Sequence, residues 1–215
     1  RMMKRPQTIS DMSAVVTGML PGMNLPPTIN PLYGVIGSFV AIGIAKQLFG
    51  GIGQNFANPA IVGRIVLMLS FTASMSTWCK PFYYLDGADV VTGATPLVSK
   101  DADYLSLLLG TTGGCIGETC AIALIAGGIY LIAARIITPH APVAFIGTVF
   151  LLTLIAGDDP IYAVLSGGLI IGAFFMATDY VTSPVTPAGQ YVFGVVLGLL
   201  TGIFRLWGAS AEGVS

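Results

Sequence analysis

Residues Asp89 to Leu97 read DVVTGATPL, and their types and spacing assemble the parts of a modification site. Gly93 lets the backbone turn sharply. Ala94 adds no bulk, and Pro96 holds the residue before it extended. Together these residues would present the Thr95 hydroxyl on a stiff, exposed turn. A threonine hydroxyl is a poor nucleophile unaided. An exposed one that needs activation suggests a site acted on by another enzyme. Asp89 is placed to hold a metal or a donor group during that modification. The four letters TGAT alone arise easily in a chain rich in Gly, Ala and Thr. Asp89 upstream and Pro96 downstream set this stretch apart.

The elements around it are apolar. Of 215 residues 54% are hydrophobic and only 9% charged, against roughly 25% charged in an average soluble domain. Mean hydropathy is +0.85. So few charges cannot coat a water-soluble globule, which excludes a soluble enzyme and implies a membrane protein. A net charge of -1 argues against nucleic acid as a partner. Cys79, Cys115 and Cys120 lack CxxC spacing and read as small apolar filler rather than a metal site. No signal peptide is visible, and the last segment stops as if a further span should follow.

A span needs about 20 mainly apolar residues. Seven candidates follow: Met12 to Pro27, short or broken; Leu32 to Phe49; Pro59 to Trp78; Cys115 to Ile137; Pro142 to Ala156; Ile161 to Ala177; and Tyr191 to Trp207. The long polar segment from Cys79 to Gly114 separates the third from the fourth. With the N-terminus in the cytoplasm, six of the nine basic residues (Arg1, Lys4, Arg5, Lys46, Arg64, Arg135) fall inside, with His140 as an interfacial loop residue. Asp86, Asp89, Asp101, Asp103, Asp158 and Asp159 fall outside. This bias places the threonine turn on the extracytoplasmic side.

Ala14 to Leu20 (AVVTGML) matches Ala163 to Leu169 (AVLSGGL). Each precedes a polar, proline-bearing stretch. Each then leads into a span with a glycine early (Gly34, Gly194) and a base near its end (Lys46, Arg205). The first and sixth spans are five apart, so the pattern reads as an inverted repeat, which sets a site near the midplane between broken helices.

With these segments in view, DVVTGATPL resembles the flavinylation motif D-x-x-S/T-G-A-T. Ser10 to Pro27, FGGIGQNFANPAIVGR (Phe49 to Arg64), GGCIGETCAIALIAGG (Gly113 to Gly128) and FFMATDYVTSP (Phe174 to Pro184) are similar to the NqrB/RnfD family. The closer likeness is to the RnfD members, which serve the Rnf ion-translocating electron transport complexes. The close second is the NqrB members, which serve the sodium-pumping NADH:quinone reductases. Tyr180 departs from the pattern, where a proline is expected, and puts the local turn there in question.

The resemblance implies an all-α polytopic membrane protein of ten helices in two inverted repeats of five, similar to urea transporters, with terminal helices lying beyond both ends of this chain. Residues 1–215 then form one transmembrane domain: about 1–78 the remainder of the first repeat, 79–114 the extracytoplasmic flavin-attachment segment, about 115–215 the incomplete second repeat. It also implies FMN linked through its phosphate to Thr95 by a flavin transferase. Asp89 would serve that transferase, and Thr92, Gly93 and Ala94 would line the attachment turn. A noncovalent riboflavin within the bundle is a further implication of the same resemblance. The complex, with the other Rnf subunits (A, B, C, E and G) as partners in the cell inner membrane, would pass electrons between ferredoxin and NAD while moving Na+ or H+.

Three buried-segment charges carry open alternatives, since each costs about 2.5–3.5 kcal/mol or more at the bilayer centre. Arg64 either snorkels to the cytoplasmic interface or contacts a flavin or lipid phosphate. Glu118, early in the fourth span, either complements a helix dipole or contacts a flavin or a translocated cation. Asp179 either caps its helix or belongs to a polar midplane site. Two other classes of function compete: a urea-transporter-like solute channel without a redox cofactor, and a structural subunit that docks redox partners. Both imply a colourless protein.

Overall fold

Three helices begin where the sequence sets Asn or Asp before Pro. Asn30, Asn58 and Asp159 turn their side-chain oxygens onto the N–H groups of Leu32, Ala60 and Ile161, at 2.9–3.0 Å. The following Pro31, Pro59 and Pro160 occupy the first helical position, where a missing N–H costs nothing.

The structure is a computed structural model that describes residues 12–51, 53–79, 81, 92–93, 96–100 and 102–207. In chain order come α1 (Ser13–Met23), α2 (Pro31–Phe39), which widens into a π-type extension (Val40–Gln47), α3 (Pro59–Ser70), α4 (Thr72–Met75), β1 (Trp78–Cys79) and β2 (Thr92–Gly93). Then follow α5 (Pro96–Ser99), α6 (Tyr104–Leu109), α7 (Ala121–Ala133), α8 (His140–Ala156), α9 (Pro160–Leu165), α10 (Leu169–Ile171), extended as a π-type turn (Gly172–Met176), and α11 (Pro187–Trp207). The described residues are thus mostly helical. Their strands form one two-residue antiparallel ladder, Trp78 opposite Gly93 and Cys79 opposite Thr92.

The helices are shorter than the apolar segments that encode them. Among the described residues α11 is the one helix long and apolar enough by itself to cross a membrane. The third expected span breaks at Phe71 (φ -133°, ψ 46°). The fourth starts at Ala121, because the residues from Cys115 form a turn. The sixth is interrupted at Ser166 to Gly168, where Gly167 takes φ +67°. The segment expected as a long loop carries α5, α6 and β2. His140 opens α8 rather than lying in a loop, and its ring packs against Tyr191 with Nδ1 3.1 Å from the hydroxyl.

The outer faces remain apolar. Ile155 is 82% exposed and Leu69 79%. So many large apolar side chains left exposed need an apolar surrounding, so the chain is a membrane protein. Packing inside rests on small residues. Gly194, Gly198 and Gly202 form one stripe of α11 against α8, as expected where lipid gives no hydrophobic drive and close contact must hold helices together. A Cβ on Gly198 would lie 2.5 Å from the Thr148 Cβ and 2.9 Å from the Phe145 carbonyl. Beneath them lies a core of Phe145, Val149, Leu169, Ala173 and Ala177.

Gly198→Val is therefore expected to lower stability by about 1–3 kcal/mol through overpacking, read by thermal unfolding of the full-length protein in detergent. Gly147→Val, on α8 where a Cβ meets nothing within 4 Å, is expected to stay within about 0.5 kcal/mol. Equal effects would show that the stripe does not hold the two helices.

Candidate functional site

The last carbonyls of α1 have no further helical turn to bind them, and a second segment supplies the donors. Gly117 N–H donates to the Met23 carbonyl (2.6 Å), Ile116 N–H to that of Leu25 (3.2 Å) and the Cys115 thiol to that of Asn24 (3.2 Å). Gly117 is required by this approach, since a Cβ there would lie 2.6 Å from the Met23 Cβ. The Glu118 carboxylate closes the same turn by accepting the Cys115 N–H at 2.9 Å. On the other side of α1, Arg64 from α3 donates to the Asn24 side-chain oxygen at 2.8 Å. Arg64 is only 3% exposed and Asn24 1%. A charge-assisted hydrogen bond of this kind is what permits a guanidinium to stay buried.

The interruption between α9 and α10 is the counterpart on the far side. Arg205 of α11 donates to the carbonyls of Ala163 (2.7 Å) and Ser166 (3.4 Å), groups that the broken helix leaves open. A Cβ on Gly168 would lie 3.3 Å from Glu118 Oε2 and 3.9 Å from Arg64 Nη1. Both opposite charges thus flank this break. Lys46, 6% exposed at the end of the α2 extension, donates to the Thr17 hydroxyl in α1 at 3.1 Å. Asn58 ties the two halves elsewhere, donating to the Met176 carbonyl at 3.2 Å.

The described residues on either side of positions 94–95 are held. Upstream, Thr92–Gly93 is laddered to Trp78–Cys79, both buried. Downstream, the Tyr162 hydroxyl of α9 donates to the Pro96 carbonyl at 2.8 Å. Lys100 pairs with Asp158 at 2.8 Å, and the Tyr104 hydroxyl donates to Asp159. The Tyr104 bond, with the Tyr162 N–H, holds the Asp159 carboxyl below its ordinary range. The same bond raises the Tyr104 hydroxyl, since ionising it would set a second negative charge beside the carboxylate.

Of the residues singled out from sequence, Asp89, Ala94 and Thr95 lie outside the described residues, as do Asp86, Asp101 and Lys80. Thr92 and Gly93 are placed by their backbone. Arg64 does not snorkel: it is drawn inward by Asn24. Glu118 is not within a helix but in the turn before α7, facing the Gly168 break. Asp179 caps the turn after the α10 extension, accepting from the Thr182 hydroxyl at 3.1 Å and the Val181 N–H at 3.5 Å. Tyr180, the departure from the expected proline, donates its hydroxyl to the Ile136 carbonyl. The roles of Asn24, Tyr162 and Asp159, and the clamp by Arg205, do not follow from the sequence reading. The Ser-Gly-Gly run at 166–168 and the Asp-Pro pair at 159–160 are the signals that could have found them.

Interrupted helices, close packing on glycine and buried cations held by backbone carbonyls and amide oxygens define an α-helical membrane protein with a polar interior junction. The chain belongs to the NQR2, RnfD, RnfE family, whose profile matches residues 1–215. It is 46% identical to the D subunit of the proton-translocating ferredoxin:NAD(+) oxidoreductase complex of Clostridium ljungdahlii, over 98% of this chain and 70% of that protein. It is 45% identical to the D subunit of the Na(+)-translocating ferredoxin:NAD(+) oxidoreductase complex of Acetobacterium woodii, over 100% of this chain and 69% of that protein. With the D subunit of the ion-translocating oxidoreductase complex of Rhodobacter capsulatus the identity is 39%, over 92% and 66%.

The Tyr104–Asp159 contact sets a pH window. A lowered carboxyl favours the folded state above the ordinary carboxylate range, and that contribution is lost as pH falls through the lowered value. A raised tyrosine contributes below about pH 10 and is lost as pH rises through the raised value. Hydrogen exchange over Tyr104–Leu109, corrected for intrinsic rates, is expected to speed up at the acid end, with Tyr104→Phe fast at neutral pH and flat in acid. An unchanged profile in Tyr104→Phe would show that this contact does not secure the segment.

Proposed function

We propose that the chain is the membrane subunit of an ion-translocating ferredoxin:NAD oxidoreductase complex and carries FMN, linked through its phosphate to Thr95, as an electron relay. The observation that carries this reading is the pinning of the described residues before and after Thr95. In the sequence, Ala94 and Thr95 stand between Thr92–Gly93, laddered to Trp78–Cys79, and Pro96, whose carbonyl accepts from Tyr162, so the residues before and after them are fixed to opposite halves of the molecule. A covalent tether between fixed flanking residues gives its flavin a high effective concentration at one place. Bound flavin supplies the redox chemistry; the protein supplies position and electrostatics. Asp89 serves the flavin transferase during maturation, and Thr92, Gly93 and Ala94 shape the turn.

The inverted repeat gains support from equivalent contacts. Aligning AVVTGML with AVLSGGL pairs Thr17 with Ser166. The base near the end of each glycine-bearing helix then reaches its partner in that segment: Lys46 the Thr17 hydroxyl, Arg205 the Ser166 carbonyl. Such a pair of broken helices, in two repeats of opposite orientation, is the arrangement of urea-transporter-like folds and carrier midplane sites. Burial of Lys46 and Arg64, with Arg205 occupied by α9, removes these three from the charge balance of the loops. Arg1, Lys4, Arg5 and Arg135 remain on the inner side against Lys80 and Lys100, so the attachment segment stays extracytoplasmic by the same rule.

The reading of a second, noncovalent flavin, riboflavin, is supported by a cleft of about 490 Å³ between the halves. Its walls are Met19, Met23, Phe174 and Phe175, and Asn58, Thr178 and Asp179 give it a polar end. The other complex subunits are the partners that pass electrons to and from the relay, coupled to Na+ or H+ movement.

In the assembled complex Thr95→Ala is expected to reduce ferredoxin-driven NAD reduction and the accompanying ion uptake by vesicles to the background of membranes lacking the complex, with all subunits still present. A complex that keeps both activities would favour the solute-channel or docking-subunit reading instead.

A further inference from the structure

A cavity of about 540 Å³ opens under the segment that follows Thr95, walled by α8, α9 and α11. This volume falls within the roughly 300–1,000 Å³ of small-molecule and cofactor sites. Nothing in the relay reading uses it. Its position ties it to the attachment turn: Leu97 lines it, and so does Tyr162, which holds the Pro96 carbonyl. Its floor includes Val149, fully buried, and Thr153. The rings of Tyr104 and Tyr162 stand edge to face with centroids 6.4 Å apart. Two cations line it: Lys100, paired with Asp158, and Arg205, whose guanidinium is fixed in place by the Ala163 and Ser166 carbonyls.

We propose that this cavity receives the isoalloxazine ring of the flavin carried at Thr95, and that Arg205 is a positioning residue that sets the ring's electron affinity. The inference rests on the covalent-flavin reading above. An aromatic ring system matches two tyrosine faces over an apolar floor. The oxidised ring is neutral, so the carboxylates at the rim (Asp103, Asp158 and Asp159) do not oppose it. They do oppose an anionic lipid headgroup, which is why a flavin and not a lipid is the occupant the chemistry selects. The phosphate stays at the tether, away from those carboxylates. When the ring takes up electrons it becomes electron-rich, and a fixed guanidinium in a partly desolvated wall stabilises that form more than the oxidised one. Arg205 thereby serves two ends at once: it satisfies the broken helix and raises the flavin potential. The Lys100–Asp158 pair lies across the rim.

The test uses the full-length protein made with its flavin transferase and purified with its covalent flavin. Ala163→Phe fills the cavity while leaving the backbone carbonyl that binds Arg205 in place. Arg205→Met removes the charge, and Arg205→Lys restores it. Covalent flavin per chain, measured after denaturation, serves as the control for correct maturation. At equal covalent load, Ala163→Phe is expected to raise native flavin fluorescence severalfold, because the ring loses its quenching tyrosines. Arg205→Met is expected to lower the midpoint potential of this flavin, with Arg205→Lys recovering most of the shift. Full covalent load with fluorescence and potential unchanged in Ala163→Phe would overturn the cavity assignment and leave the relay reading standing. A wild-type chain without covalent flavin would overturn that reading, and this inference with it.

Discussion

A helix that stops inside an apolar medium leaves backbone carbonyls and amides without water to bind, and each such group costs several kcal/mol if it stays unmet. This chain stops its helices repeatedly, and its architecture follows from how the freed groups are satisfied. The end of α1 is met by the Cys115–Gly117 turn, with Cys115 lying 91 residues along the chain from its partner Asn24. The end of α9 is met by the Arg205 guanidinium. Asn58 meets the end of the α10 extension. None of these contacts is local, and those at the ends of α1 and of the α10 extension stitch the two halves together.

The same requirement explains why charges and small residues occur where they do. Arg64 is buried at the point where α1 ends, and Asn24 supplies an acceptor. Glycine lies wherever backbone must approach backbone, as at Gly117 against Met23 and Gly198 against Phe145. The broken helix also communicates with the surface. A Cβ on Gly167 would meet Leu97 at 2.5 Å and Arg205 Nη2 at 3.0 Å, so the segment after Thr95 is seated on the interruption itself. A change at Leu97 therefore reaches Ser166 to Gly168 directly, and Glu118 and Arg64 face the same break.

Much of this is legible in the sequence. Composition alone requires a membrane, and the apolar stretches locate most helices. Asn-Pro and Asp-Pro pairs mark three helix starts. What stays hidden depends on contacts distant in sequence. A basic residue near the end of an apolar span reads as an interfacial charge, which is how Lys46, Arg64 and Arg205 look from sequence. Only the partners, Thr17, Asn24 and the Ala163 and Ser166 carbonyls, reveal that they are structural clamps. Glu118 reads as helical because GGCIGET continues an apolar run, whereas the backbone there is spent on capping α1. The D-x-x-T-G-A-T run is recognisable as letters, and the pairing of Thr92–Gly93 with Trp78–Cys79 and of Pro96 with Tyr162 is not.

Everything said of electron relay depends on a flavin bonded to Thr95. In-gel flavin fluorescence of the denatured full-length protein, produced in a host that makes the flavin transferase and run beside Thr95→Ala, reads that bond without intermediaries. The expected result is a fluorescent band that disappears in the variant. A dark band from the unaltered protein, or one that persists in Thr95→Ala, would contradict it.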